Sequence, residues 1–341
     1  MIEKRIISEE ELKPFLDSDT IADKTKALLS QQKKVWKLPK EGYKSLEKVQ
    51  VKVFEFDGFQ IKVQFNPGRI ISSSAKVDKK SIENRKCFLC IKNLSPEQKG
   101  ILYYRDLIIL VNPYPIFPEH FTLPKIDHIP QAIEPNFEGL LDISRDLSKH
   151  YIVFYNGPKC GASAPDHFHY QAGLKYFMPI DSEYPNIIKQ SAQKLVEENG
   201  SAVYAVDKYL RNFISIESNN KDFIKKYFNK FFDIYKKISP SDEEPMLNII
   251  SNYEQNKWRV IIFPRAKHRP YQYFAEGDGN ILLSPAAVDF GGVFITPLEK
   301  DFNKISKDDI IDIFRQTSIS TEYFEFIKKE LAKNDKKCLF I

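Results

Sequence analysis

Pro124-Lys125-x-x-His128-x-Pro130-Gln131 and Pro264-Arg265-x-x-His268-x-Pro270-x-Gln272 match in residue type, with one insertion, across a separation of 140 residues. Each follows a strand-like run, HFTL in the first case and WRVIIF in the second. A repeat of this kind constrains the fold more than any local propensity, because it predicts an internal duplication into two related halves. At 341 residues the chain can hold two domains or one large double unit with ample core. The halves are unequal. His268 is the last histidine, so nothing after the second copy matches the histidine pair that follows the first. Chemistry is expected in the first half, with the second as scaffold or lid.

Local signals fill in this frame. Ser8 to Glu11 form a capping-box pattern that opens a polar helical segment over residues 1–50. VKVFEFDGFQIKVQF (51–65) is two alternating runs joined by Asp57-Gly58, a hairpin signature. DLIILV (106–111) reads as a buried strand ending in the bend NPYPIFPEH, and a short helix is expected near 135–149. The first half is placed at 51–180. Residues 181–240 read as a helical connector, whose aromatic stripe in KDFIKKYFNKFFDIYKKI is a core face. The second half is placed at 241–341, with strands in KWRVIIFP and GGVFITP and a closing helix around 307–333. The class is α+β, with two antiparallel-sheet halves, an N-terminal helical segment and a helical insertion.

The most specific chemistry lies in GASAPDHFHYQAG (161–173), where His167, His169 and Gln171 alternate. On a strand, residues i and i+2 share a face about 6.5–7 Å apart. Two imidazoles and a neutral amide then line one surface behind a loop of small residues, although a half-buried strand with incidental histidines has the same pattern. Cys87-x-x-Cys90 adds a second constellation. A redox pair wants a helix N-terminus and a thioredoxin-like context that this segment lacks. Zinc needs two further ligands, from His120, His128, His150, His167, Cys160 or Cys338. Cys160 and Cys338 read as buried thiols.

Composition limits the partners. Hydrophobic residues at 42% and aromatics at 13% describe a globular chain. A charge of +5 suits an anionic small ligand but is too diffuse for nucleic acid. No apolar run approaches the ~18 residues of a membrane span, and MIEKRIISEEELK has no signal-peptide core. With four cysteines in the chain, a reducing cytoplasm is the expected location.

An ordered set of segments resembles the histidine-triad superfamily, in the branch of galactose-1-phosphate uridylyltransferase and the nucleotide phosphorylases. FNPGR (65–69) with SSAKVD (73–78), CFLC (87–90), LVNPYPIFPEHFTLP (110–124) and GASAPDHFHYQ (161–171) occur in the family's order. SPAAVDFGGVFITPLEKDF is similar, more loosely, to the C-terminal region of GDP-hexose phosphorylases.

The resemblance implies a role for each matching position. His169 would be the nucleophile that takes up a nucleoside monophosphate, a task suited to neutral imidazole. Gln171 stands where the hydrolases of the superfamily carry a third histidine. It would hold a phosphate oxygen without giving a full proton to the leaving group. Ser163 and its loop would cradle phosphate, Asn156 and Lys159 would contact phosphate, Asn112 would face the nucleotide, and Arg69 would take the second substrate's phosphate. Cys87, Cys90, His120 and His167 would hold a structural zinc ion, leaving His128 and His268 as structural positions. The implied activity is a nucleotidyltransferase that uses a nucleotide or nucleotide sugar with phosphate or a sugar phosphate. A nucleoside-diphosphate-sugar phosphorylase leads over a sugar-1-phosphate uridylyltransferase or a dinucleoside-tetraphosphate phosphorylase. A zinc-stabilised nucleotide-binding protein without turnover is the alternative of another class, and a homodimer is compatible with each.

Overall fold

A computed structural model describes residues 2–74, 77–104, 106–239 and 244–333. Ala75 and Lys76 of the SSAKVD segment, and Cys338, lie outside the described residues. The Asp57-Gly58 turn joins β1 (Gln50–Phe56) to β2 (Phe59–Phe65), with Gly58 at φ 79, a backbone region that glycine enters without steric cost. Ile61 and Val63 of β2 are buried, whereas Val51 and Val53 on the outer strand are half exposed.

The duplication is visible in the topology. β3 (Gly100–Tyr103), β4 (Leu107–Val111), β5 (His120–Pro124), the helix Phe137–Asp146, β6 (Tyr151–Asn156) and β7 (His169–Leu174) form one unit. β8 (Ala192–Glu198), β9 (Ser201–Val206), β10 (Phe213–Ser218), the helix Lys221–Ile238, β11 (Leu247–Glu254) and β12 (Lys257–Pro264) form the other. Among the described residues the strands run β3-β4-β5-β7-β6-β11-β12-β10-β9-β8, an antiparallel sheet of ten. Each unit has its fifth strand inserted beside the third, and the two fourth strands pair, Phe154 with Ile250 and Asn156 with Asn248. A second sheet adds β13 (Val293–Thr296), parallel to β2.

Two expectations need correction. The matching Pro-basic segments end β5 and β12, the third strand of one unit and the fifth of the other, so they are not topological counterparts. The counterpart of β7 is β12, which opens Lys257-Trp258-Arg259 where β7 opens His169-Tyr170-Gln171. In addition, residues 181–240 are not a helical connector. They hold β8, β9 and β10 between the helices Pro179–Ser191 and Lys221–Ile238, so the second unit begins well before residue 241. AQKLVEE in β8 is rich in helix-forming residues, but pairing with β9 along its length overrides that preference.

Burial explains the uninterrupted apolar strands. Tyr151, Val153 and Tyr155 of β6 face a core with Leu140, Phe228 and Phe324, contributed by helices on one side of the sheet. Ile152 and Phe154 face a second core with Ile61, Val63, Phe290 and Phe314, contributed by the small sheet and the C-terminal region. Both faces are covered, so the strand reads as a continuous hydrophobic run. The alternation on β7 assigns its faces too. Tyr170 and Ala172 belong to the helix-side core, which turns His169 and Gln171 to the other side. The N-terminal segment is pinned by Asp23, 1% exposed, whose carboxylate accepts from His150 at 2.7 Å and Lys149 at 2.6 Å.

Phe228 stacks on Phe137, joining the helices of the two units, and Trp258 Nε1 of the second unit donates to Leu141 O of the first at 2.9 Å. Phe228→Ala is expected to lower stability by about 3–5 kcal/mol and to shift one shared transition. Urea unfolding followed by circular dichroism and tryptophan fluorescence would give coincident curves; separated curves would show units that unfold independently.

Candidate functional site

A cavity of about 770 Å³ lies over the face of β7 that carries His169 and Gln171. His169 is almost completely buried, and its orientation is fixed at both ends of the residue. Its backbone N–H donates to Gln131 Oε1 at 2.8 Å, and its ring Nδ1 donates to the carbonyl of His167 at 2.9 Å. That second bond sets the tautomer and leaves Nε2 with the lone pair. Burial pushes the imidazole down to about 4, so the ring is neutral at pH 7. A neutral ring of fixed tautomer is a nucleophile that needs no separate base.

Gln171 is held by a residue expected elsewhere. The backbone N–H of Ile116 donates to His120 Nδ1 at 3.2 Å, which makes Nε2 the protonated nitrogen. His120 Nε2 donates to Gln171 Oε1 at 2.9 Å, leaving the amide NH2 of Gln171 as the group free to serve the cavity. Burial pushes His120 down to about 3, so it stays neutral and keeps this role. Both ring nitrogens of His120 are engaged, and His120 lies outside the group of side chains gathered around the two cysteines, where the family correspondence placed it.

The other expected residues divide. Ser163, Asn112, Asn156 and Arg69 all line the cavity. Asn112 is oriented by accepting from Tyr114 N at 3.0 Å and donating to Thr122 Oγ1 at 3.2 Å. Asn156 Oδ1 accepts from Asn248 Nδ2 and from the backbone of Ala287, both at 2.8 Å, so its oxygen ties the two units together. Arg69 donates through Nη1 to Tyr114 O at 2.7 Å, and burial pulls it down to about 10. Lys159 is exposed and does not line the cavity. The small-residue loop is built against the second unit. Gly161 has φ 94, and a Cβ there would sit 2.4 Å from Ala286 Cβ. Glycine alone meets both demands.

The second unit is more than a scaffold. His268, Arg269, Ser284 and Asp289 contribute to the cavity wall. Asp289 accepts from Ala286 N at 2.8 Å and Ile295 N at 3.3 Å, and burial raises its carboxyl to about 7. Among the described residues the lining holds three arginines, Arg69, Arg85 and Arg269, against this one carboxyl. The balance favours an anionic occupant. Ser284 and Asp289 lie in SPAAVDFGG, whose resemblance carried no residue assignments, and His268, expected as a structural position, lines the cavity beside Arg269.

Beside the cavity, Cys87, Cys90, His128 and His167 place four ligand atoms within 4.8 Å of one another. Cys87 Sγ lies 3.3 Å from His167 Nδ1, and Cys90 Sγ lies 3.1 Å from His128 Nδ1. His167 Nε2 donates to Lys125 O at 2.7 Å, which commits Nδ1 to the cluster, the arrangement metal-bound histidines use. This set fits a metal ion, with His128 in the place expected for His120. The repeat itself obscured His128, because its match at His268 has no cysteines nearby and made both look structural. Cys160 is a buried free thiol, as expected.

Two family models match successive stretches of the chain: a domain of unknown function, DUF4922, over residues 28–174, and the GDPGP1-like C-terminal domain over residues 186–337. No curated protein matches. The solved structures of yeast Ap4A phosphorylase Apa2 share the fold, at 16% identity and a TM-score of 0.53 over 84% of this chain and 94% of that one. Its complex with AMP gives 14% and 0.53, covering 84% and 96%, and its complex with Ap4A gives 13% and 0.51, covering 84% and 97%. Among the described residues no helix is long and apolar enough to cross a membrane. The chain thus carries a GDPGP1-like C-terminal domain match over residues 186–337 and shares, in its paired five-stranded units, the fold of Apa2.

Proposed function

We propose that this protein is a nucleotidyltransferase that passes a nucleoside monophosphate through His169 to a phosphate-bearing acceptor, with a nucleoside-diphosphate sugar as the donor. The observation that carries the reading is His169 itself, a buried neutral imidazole with Nδ1 locked on the His167 carbonyl and Nε2 left for the arginine-lined cavity. In the first step Nε2 forms a bond to the α-phosphorus, and the bond from that phosphorus to the bridging oxygen breaks. The sugar phosphate departs with the electron pair and needs no proton from the enzyme. In the second step an oxygen of the acceptor forms the new P–O bond and the pair returns to Nε2. Gln171 serves both steps by donating from its amide to a non-bridging oxygen, an electrostatic role that lacks the proton a hydrolase would give an alkoxide. The N–H groups of the Gly161–Ser163 loop are suited to the same charge. The GDPGP1-like match over 186–337 and the likeness of SPAAVDFGG to GDP-hexose phosphorylases support the sugar nucleotide as donor.

The cluster of Cys87, Cys90, His128 and His167 is read as a structural zinc site. Four protein ligands leave no open position, so the ion would act as a cross-link between the CFLC turn and the entry to β7. The protein is expected to bind about one zinc per chain, with His128→Ala losing metal and melting temperature together. His120→Asn should retain the metal. Metal analysis and thermal melts of the two variants decide between His128 and His120 as ligand.

For the chemistry, protein incubated with α-phosphate-labelled nucleotides and nucleotide sugars should take up an acid-labile label. His169→Asn should abolish it while keeping fold and metal, with turnover lower by several orders of magnitude. Nucleotide binding with no label in the native protein would instead identify a binding protein without turnover. Gln171→His should increase loss of the nucleotide to water, measured as nucleoside monophosphate released without added phosphate.

A further inference from the structure

Arg85 stands outside every role assigned above, yet it lines the cavity two residues before Cys87. Its Nη2 is paired with Asp166, and the other oxygen of that carboxylate lies 3.7 Å from His128 Nε2. The guanidinium carbon sits 5.2 Å from the centre of the Phe88 ring. One end of the guanidinium is therefore anchored to the segment that carries the metal cluster. The other terminal nitrogen, Nη1, is buried and has no hydrogen-bond partner among the described residues. A buried charged donor left unpaired is costly, and a guanidinium held by one edge presents its remaining N–H groups in the geometry that oxyanions match. The other two arginines of the cavity are differently engaged. Arg69 gives Nη1 to Tyr114 O, and Arg269 gives Nε to Ser284 Oγ at 3.0 Å while lying 4.1 Å over Tyr273.

We propose that Arg85, held by Asp166, binds the phosphate that leaves the donor in the first step and the phosphate that attacks in the second. This rests on the transfer reading above. In a double displacement at one histidine the departing and arriving oxyanions use the same place in turn, so one cation serves both. The nucleotidyl phosphorus itself has Gln171 and the Ser163 loop; Arg85 belongs to a different wall, built by residues 77–98. The paired carboxylate makes Arg85 a positioned ligand, and Asp166 a positioning residue that acts through it.

The test uses the full-length protein loaded with metal. Label on His169 is discharged with increasing inorganic phosphate in single turnovers. Arg85→Ala is expected to raise the half-saturating phosphate concentration at least tenfold. Arg85→Lys, which keeps a cation beside Asp166 but loses the second N–H edge, should give a smaller increase. An unchanged phosphate dependence in both variants overturns the proposal. Titration calorimetry with inorganic phosphate supplies a readout that does not depend on turnover. If native protein never takes label, the transfer reading fails. Phosphate binding that is lost in Arg85→Ala, with metal content intact, would then still establish the anion site, and binding unchanged in that variant would remove it.

Discussion

The antiparallel pairing of β6 with β11 is the contact on which the remainder of the molecule depends. It joins two five-stranded units into one sheet, and its polar ends organise the cavity. Asn248 on β11 donates to both Asn156 Oδ1 and the carbonyl of Cys160, fixing the strand end and the loop that follows it. Asn248 Oδ1 in turn accepts from Arg265, a fully buried guanidinium that also donates to the carbonyls of Pro285, Thr317, Lys267 and His268. A buried arginine is tolerated only when its donors are satisfied, and here they are satisfied by Asn248 and by backbone carbonyls from three separate segments. The seam thus places the 157–164 loop of one unit against the 285–287 turn of the other.

That arrangement accounts for the division of work on β7. The alternation continues from His167, just before β7, into the strand, and each position is fixed separately. The His167 ring is set by Lys125 O, the His169 ring by His167 O with its backbone held by Gln131, and Gln171 by His120. His120 is itself bracketed by Tyr43, whose hydroxyl donates to His120 O at 2.9 Å and accepts from its N–H at 3.2 Å. The N-terminal helical segment therefore reaches the site through a chain of three residues.

Much of this was legible in the residues. The hairpin, the buried β4 run, the aromatic face of the helix Lys221–Ile238 and the alternation on β7 all follow from short-range periodicity, which a sequence displays directly. The grouping of His128 rather than His120 with the cysteines did not, because the two histidines lie at opposite ends of β5 and only the folded side-chain positions separate them. β8 was hidden for a different reason: it is an edge strand whose exposed Lys and Glu residues carry no alternation of burial. The repeat led to a correct duplication by a misleading route, since similar strand-ending segments served two different strands. The cavity wall from the second unit was invisible because its members are far apart in the chain and meet only through the seam.

The asymmetry of the two units has a consequence for how such a protein can change. In an assembly of two identical subunits, any substitution near one site appears at the other. Here one unit carries His169 and Gln171, the proposed nucleophile and amide, while the other has Lys257 and Arg259 at the matching strand positions and lends its loops to the opposite wall. Residues such as Ser284 and Arg269 can therefore vary to admit a different occupant without altering the strand that carries His169 and Gln171. Because both units lie in one chain, the wall and the strand proposed to react are separately inheritable.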